Sequence, residues 1–348
     1  MHCLLRATII TFVSSGLSVI SGILIFIEYS LNSHHDRLAT MFVFMTIGDF
    51  MYAVGYIVGD MRYYDLYEEI DNVTSTNCSI LSDDASNDLL CKGQSFVTTY
   101  ASLVSFAWTC NLLITLYLYY IGHDRPSRLR EWIMHIVGWI LPGIIVISAV
   151  SAGALGEDSA EYSGPWCWVR DFPSKGERIL WMLFAGKFWE ILTYIITFVM
   201  FVLCMKLTSC GRIKGARFPE DVTNQRRFVR MEDNEDVDDQ SQNREDQKHY
   251  EDQSLMMWRF CFAWIILVVT RCFGTTRFFL YVFDVQVSDK ANEWLLNLQS
   301  FGDGSLAFVN FVFYLITNPA VVRKYWKQIR ARSGNDEMSN NENLNVNE

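Results

Sequence analysis

Proline is scarce in this chain, with 6 in 348 residues, and histidine is no commoner, also at 6. The 9 cysteines contain no C-x-x-C pair, which argues against zinc-ribbon and thioredoxin-like chemistry, and they are too few for a disulfide scaffold. A basic surface is missing too. With 29 Lys and Arg against 39 Asp and Glu, the formal net charge is −10, and nothing points to a nucleic-acid partner. Enzyme chemistry finds little material: no serine stands in a G-x-S-x-G context, and the one histidine inside a long apolar run, His135, lacks companions for a metal or a nucleophile. The last apolar run has no lysine to carry retinal. No cofactor, no metal and no catalytic role is therefore expected.

The most informative absence is of charge from long stretches. A bilayer's hydrocarbon core is about 30 Å thick and takes roughly 20 apolar helical residues to cross. Seven runs meet that length: 7–30, 38–59, 94–121, 133–155, 179–205, 258–283 and 294–316. One such run fits a soluble core; seven do not. The mean hydropathy of only +0.13 averages these runs with very polar connections. The expected fold is an all-α membrane protein, a seven-transmembrane helix bundle, in contact with a lipid bilayer. The first run is too long for a signal-peptide core and reads as a retained span.

Sidedness follows from Lys and Arg in the connections. With the amino terminus outside, the inner segments hold 18 of them and the outer segments 7. This predicts an extracellular amino terminus and a cytoplasmic carboxyl terminus. Asn72-Val-Thr and Asn77-Cys-Ser, both glycosylation acceptors, then fall outside. The 207–254 connection starts basic (Arg212, Lys214) and turns acidic, with almost no apolar content, so it reads as disordered, as does the tail at 334–348. After Asn318-Pro319, residues 320–333 form a basic amphipathic helix with Val322, Tyr325, Trp326 and Ile329 on one face. An internal repeat of the transporter kind is not visible.

Four cysteines fall on the outer, oxidising face: Cys3, Cys78, Cys91 and Cys167. They allow three connectivities, and composition does not choose among them. Charges inside spans are costly and signal function by default. They are Asp49, Lys187, Glu190, Arg259, Arg271, Arg277 and Asp303; Arg259 can snorkel to the inner surface. By helical rise, Lys187, Glu190, Arg277 and Asp303 fall in the outer half to middle of the bundle and can meet. Two readings stand side by side: a charged ligand pocket, or a neutralised network that holds helices together.

The segments Cys91-Lys-Gly-Gln94, Phe-Ala-Trp108, His135 with Gly-Trp-Ile-Leu-Pro142, Gly164-Pro-Trp-Cys167-Trp-Val and Gly-Lys187-Phe-Trp-Glu190 narrow the field. So do Arg271, Thr276-Arg277-Phe, Gly302 and Asn310. With these motifs the chain resembles the G-protein-coupled receptor 157-like orphan group, related to the cyclic-AMP-receptor-like (class E) seven-transmembrane family. The resemblance implies a plasma-membrane receptor and supports pairing Cys91 with Cys167. The intramembrane charges Asp49, Lys187, Glu190, Arg271, Arg277 and Asp303, with Gln94, Trp108 and Asn310 from these motifs, make up a candidate ligand pocket or intramembrane polar network. A heterotrimeric G protein would meet Arg125, Arg128, Arg130, Arg212 and Lys214, on the inner side. Rhodopsin-type switch motifs do not carry over, since the sixth span has no Pro and Val322 stands where Tyr would follow Asn318-Pro319. The expected function is transmission of a small extracellular ligand's binding to that G protein. The alternative is a transporter or channel that uses the intramembrane charges.

Overall fold

In the computed structural model the described residues are 2–31, 37–72, 89–121, 127–157, 164–209, 263–317 and 323. The acceptor Asn77, Arg125, Arg212 and Lys214, most of the 207–254 connection, the inner helix apart from Arg323, and the tail lie outside them. Among the described residues, six helices are long and apolar enough to cross a membrane, and a seventh crossing is made of two pieces. The first three spans are His2–Leu31, Arg37–Asn72 and Leu89–Tyr120. The fourth runs Arg128–Ser151 and the fifth Lys175–Ser209, each with a π turn inside it. The sixth is described over Ala263–Val282, and the seventh joins Asp289–Gly304 to Leu306–Thr317 through Ser305.

The outer surface of the bundle is what lipid requires. On the fourth span Ile133, Ile136, Ile140, Ile144 and Ile147 recur every three or four residues, and all are exposed. Such a continuous apolar face would be a liability in water. The interior holds three apolar clusters. One joins spans three to six, around Phe106, Val146, Met182 and Phe278. A second packs Met41, Met45, Trp108, Leu112 and Met134 between spans two, three and four. The third sets Tyr52, Tyr56, Trp166 and Leu296 between spans two and seven and the fourth-to-fifth connection.

The irregularities have local causes. Pro142 has no N–H to give the carbonyl four residues back, and the π turn Ile136–Ile140 stands directly before it. In the π turn Leu183–Lys187, the Phe188 N–H bonds back to the Leu183 carbonyl. The Phe184 carbonyl, passed over, accepts instead from the Trp189 indole N–H at 3.0 Å. The fourth span starts earlier than the hydropathy pattern predicts and stops at Ser151. There Ala154 N–H bonds to Ala149 O at 2.8 Å and Gly153 N–H to Val150 O at 2.8 Å. With Gly153 at φ 62, this is a Schellman stop.

In the seventh span a side chain enters the helical ladder. The Ser18 hydroxyl donates to the Gly304 carbonyl at 2.6 Å and accepts from the Phe308 N–H at 3.2 Å, bridging the two groups that a regular helix would join directly. Nearby, a Cβ at Gly302 would lie 1.9 Å from the Thr270 carbonyl oxygen, so the backbones of spans six and seven touch there. Only glycine permits that approach.

Between spans four and five, β1 (Leu155–Gly156) pairs antiparallel with β2 (Trp168–Val169), with Leu155 opposite Val169. This small ribbon and the Cys91–Cys167 disulfide mark one end of the bundle, called the disulfide end below.

Candidate functional site

Between the helices at the disulfide end lies a cavity of about 80 Å³. Spans two, three, five, six and seven line it, with Trp166, Cys167 and Trp168 of the ribbon connection. The disulfide fixes that connection to the start of the third span. Gln94 adds to the hold: its Oε1 accepts from the Cys167 N–H at 2.9 Å. Arg62 Nη1 lies 3.5 Å from Cys167 Sγ, and Arg62 forms an ion pair with Glu157 beside the first strand.

Five intramembrane charges meet in this cavity, although they come from three separate spans. Lys187 Nζ is 2.9 Å from Glu190 Oε2, a pairing that their i, i+3 spacing on the fifth span allows. Glu190 Oε1 also accepts from Tyr194 OH at 2.7 Å and from the Thr275 hydroxyl of the sixth span. Arg271 Nη1 is 3.2 Å from Asp303 Oδ1 and donates to Tyr52 OH at 2.7 Å. Arg277 Nη1 donates to Gln299 Oε1 at 2.8 Å, and Gln299 Nε2 donates to Asp303 Oδ2 at 3.2 Å. The Arg271 guanidinium carbon lies 4.4 Å from the Tyr52 ring centroid and 5.3 Å from that of Phe106.

The other candidates lie elsewhere. Asp49 sits below the cavity and joins three spans: Ser105 donates to Oδ1 at 2.6 Å and Asn310 Nδ2 to Oδ2 at 2.8 Å. Trp108 belongs to an aromatic cluster with Phe44, His135 and Trp139, with ring centroids 4.6, 5.4 and 5.8 Å away. It is buried and does not line the cavity. Gln94 supports the cavity's rim rather than its wall. Asn72 is the last residue of the second helix, and its side chain is outside the described residues. Arg128 and Arg130 open the fourth span, at the end away from the disulfide.

Several wall residues escape a search for charge alone. Tyr52 and Tyr56 are four apart and share a face of the second span; their hydroxyls are 2.8 Å apart, and Tyr56 OH reaches Asp303 Oδ2 at 3.5 Å. Gln299 and Asp303 share a face of the seventh in the same way. The available signal was polar spacing by four within apolar spans. Trp166 and Trp168 flank Cys167 and follow it into the wall.

Seven apolar crossings, a disulfide from the third span to the fourth-to-fifth connection, and a polar cavity beneath it describe a receptor bundle. Residues 4–230 match the model of the family 7 transmembrane receptor (Secretin family). The chain belongs to the secretin-type seven-transmembrane receptors. It is also similar to the human and mouse proteins named G-protein coupled receptor 157, each 28% identical over 200 residues. That stretch is 57% of this chain in both cases, and 53% and 54% of the respective relatives. A shorter likeness, 24% over 115 residues and 33% of each chain, links it to G-protein coupled receptor 1 of Arabidopsis thaliana. The chain spans about half the length of the curated G-protein coupled receptor 157 proteins that it matches. This secretin-type receptor is thus a multi-pass membrane protein, and its relatives are receptors rather than enzymes.

Proposed function

We propose that this receptor resides in the plasma membrane with its amino terminus outside and its carboxyl terminus inside. An extracellular ligand enters at the disulfide end, and the opposite end engages a heterotrimeric G protein. The observation that carries this reading is the mixed-charge cavity at one end of the bundle, walled on that side by the disulfide-fixed connection. The excess of Lys and Arg in the connections of the other end supports the orientation. At about 80 Å³ the cavity is smaller than the roughly 150 Å³ pocket that admits benzene in an engineered protein. The ligand is accordingly small, or its entry widens the mouth.

Binding acts by favouring one of two pre-existing arrangements, so the ligand must hold the signalling arrangement more tightly than the resting one. Arg271, Asp303 and Gln299 link spans six and seven inside the cavity, while Glu190 and Thr275 link five and six. A ligand that rearranges these contacts changes how the three helices pack. At the other end, Arg125, Arg128, Arg130, Arg212 and Lys214 provide the positive charge for the G protein.

The test is cyclic AMP and calcium in cells that express the protein, with a form lacking residues 207–230 as control. A response that this deletion removes supports coupling. No response with any G-protein class, or ligand-independent ion or solute flux instead, overturns the receptor mechanism in favour of a channel or transporter. Amino-terminal and carboxyl-terminal epitopes, probed on intact and permeabilised cells, test the sidedness separately.

A further inference from the structure

The cavity wall holds more hydrogen-bond donors than its own acceptors use. Arg271 is 5% exposed, and its Nη1 serves both Tyr52 and Asp303. Nε and Nη2, which make up the adjacent edge of the guanidinium, have no hydrogen-bond partner among the described residues. The Thr99 hydroxyl, on the third span and also in the cavity wall, is in the same position. Burying such donors unpaired is costly, and most so for a charged group. Their neighbours Thr98 and Ser102 instead donate to carbonyls of their own helix, at 2.9 and 3.0 Å.

We propose that the ligand carries a carboxylate, bound two-pronged by the Nε–Nη2 edge of Arg271 with the Thr99 hydroxyl as a third donor. The proposal rests on the ligand-binding reading above and names the chemistry at that cavity. A guanidinium edge presents two parallel N–H groups that match the two oxygens of a carboxylate. Tyr52 and Phe106 stand beside the faces of that guanidinium and favour a fixed plane. A phosphoryl group would fit the same fork but brings up to two negative charges against a wall that already holds Glu190 and Asp303. Lys187 and Glu190, in the same wall, can accommodate a second polar group such as an amine, which points to small amino or organic acids.

The experiment uses the full-length receptor purified in detergent. Thermal melts are recorded with sodium acetate, succinate, glycine and L-glutamate, against acetamide, glycinamide, inorganic phosphate and sodium chloride at matched ionic strength. At least one carboxylate should raise the melting temperature by about 2–4 °C, while its amide and phosphate do not. Arg271→Lys keeps the charge but loses the fork, and should weaken that carboxylate at least tenfold. Thr99→Ala leaves both ion pairs intact, serves where the lysine variant does not fold, and should weaken binding severalfold.

The proposal is overturned if no carboxylate shifts the melt. Equal shifts from amides, stronger shifts from phosphate, or wild-type affinity in Thr99→Ala overturn it as well. Because this readout needs no G protein, loss of coupling in cells with carboxylate binding intact would fault the coupling alone. The reverse result would fault this site alone.

Discussion

Two carboxylates at the centre of the bundle are built in different ways. Around Asp49 each oxygen has one neutral donor, from Ser105 and from Asn310, and the group lies outside the cavity wall. Around Asp303 the partners include Arg271, Gln299 and Tyr56, the wall is shared with Lys187, Glu190 and Arg277, and donors are left over. The first arrangement ties spans two, three and seven with matched groups and nothing to spare. The second gathers formal charges in the wall of a cavity and leaves buried donors without partners among the described residues. Cost of burial is similar in kind at both sites, so on the ligand-binding reading proposed above the surplus of donors, rather than the presence of charge, is what distinguishes the cavity from a clasp.

The comparison can be broken most directly at Arg271. Replacing it with Met removes the counter-charge of a buried carboxylate, and loss of one partner from such a pair costs about 3–5 kcal/mol. A large fall in melting temperature and surface expression is expected, greater than for any single change at Asp49. A milder effect than Asp49→Ala would show that the two sites are alike.

Next in size is the frame of the cavity. Cys91→Ser removes a cross-link closing 76 residues of sequence, for an expected loss of about 2–4 kcal/mol. The change should lower stability measured by thermal melt and release the ribbon connection to limited proteolysis. Asp49→Ala comes third: Ser105 and Asn310 lose their acceptor, and about 1–3 kcal/mol should follow. Asp49→Asn is the smallest. Ser105 can still donate to the amide oxygen, and Asn310 needs only to turn its own amide, so a change of about 1 kcal/mol or less is expected. Melts of the two Asp49 variants side by side sharpen the contrast, since a charge-dependent role would make Asn as harmful as Ala.

Much of this was readable from the residues. Bilayer thickness demands long apolar helices, so the crossings appear as gaps in charge, and a charge inside such a gap is conspicuous. Lys187, Glu190, Arg271, Arg277 and Asp303 were found that way, and they share one cavity. Trp108 was placed with them by likeness, but an aromatic ring fits a helix interface as well as a pocket, and packing against Phe44 and His135 decided its position. The tyrosines were overlooked because a hydroxyl on a ring hardly changes hydropathy. Neither π turn has a strong local signature; Pro142 hints at one, while the other emerges from how Gly186 and Trp189 settle against neighbouring groups.

The contact of Gly302 with the Thr270 carbonyl has a mechanical meaning. The residues directly after these two are Asp303 and Arg271, the ion pair of the cavity. Spans six and seven therefore cross at a fulcrum with the pair mounted beside it. Near a fulcrum, displacement is small and force is large: on the proposed reading, a ligand that shifted Arg271 by a fraction of an ångström would turn the sixth span about its contact with Gly302, and the far end of the span would sweep the greater arc. A side chain at position 302 would act as a wedge in that joint, setting the angle between the two levers without touching the ligand.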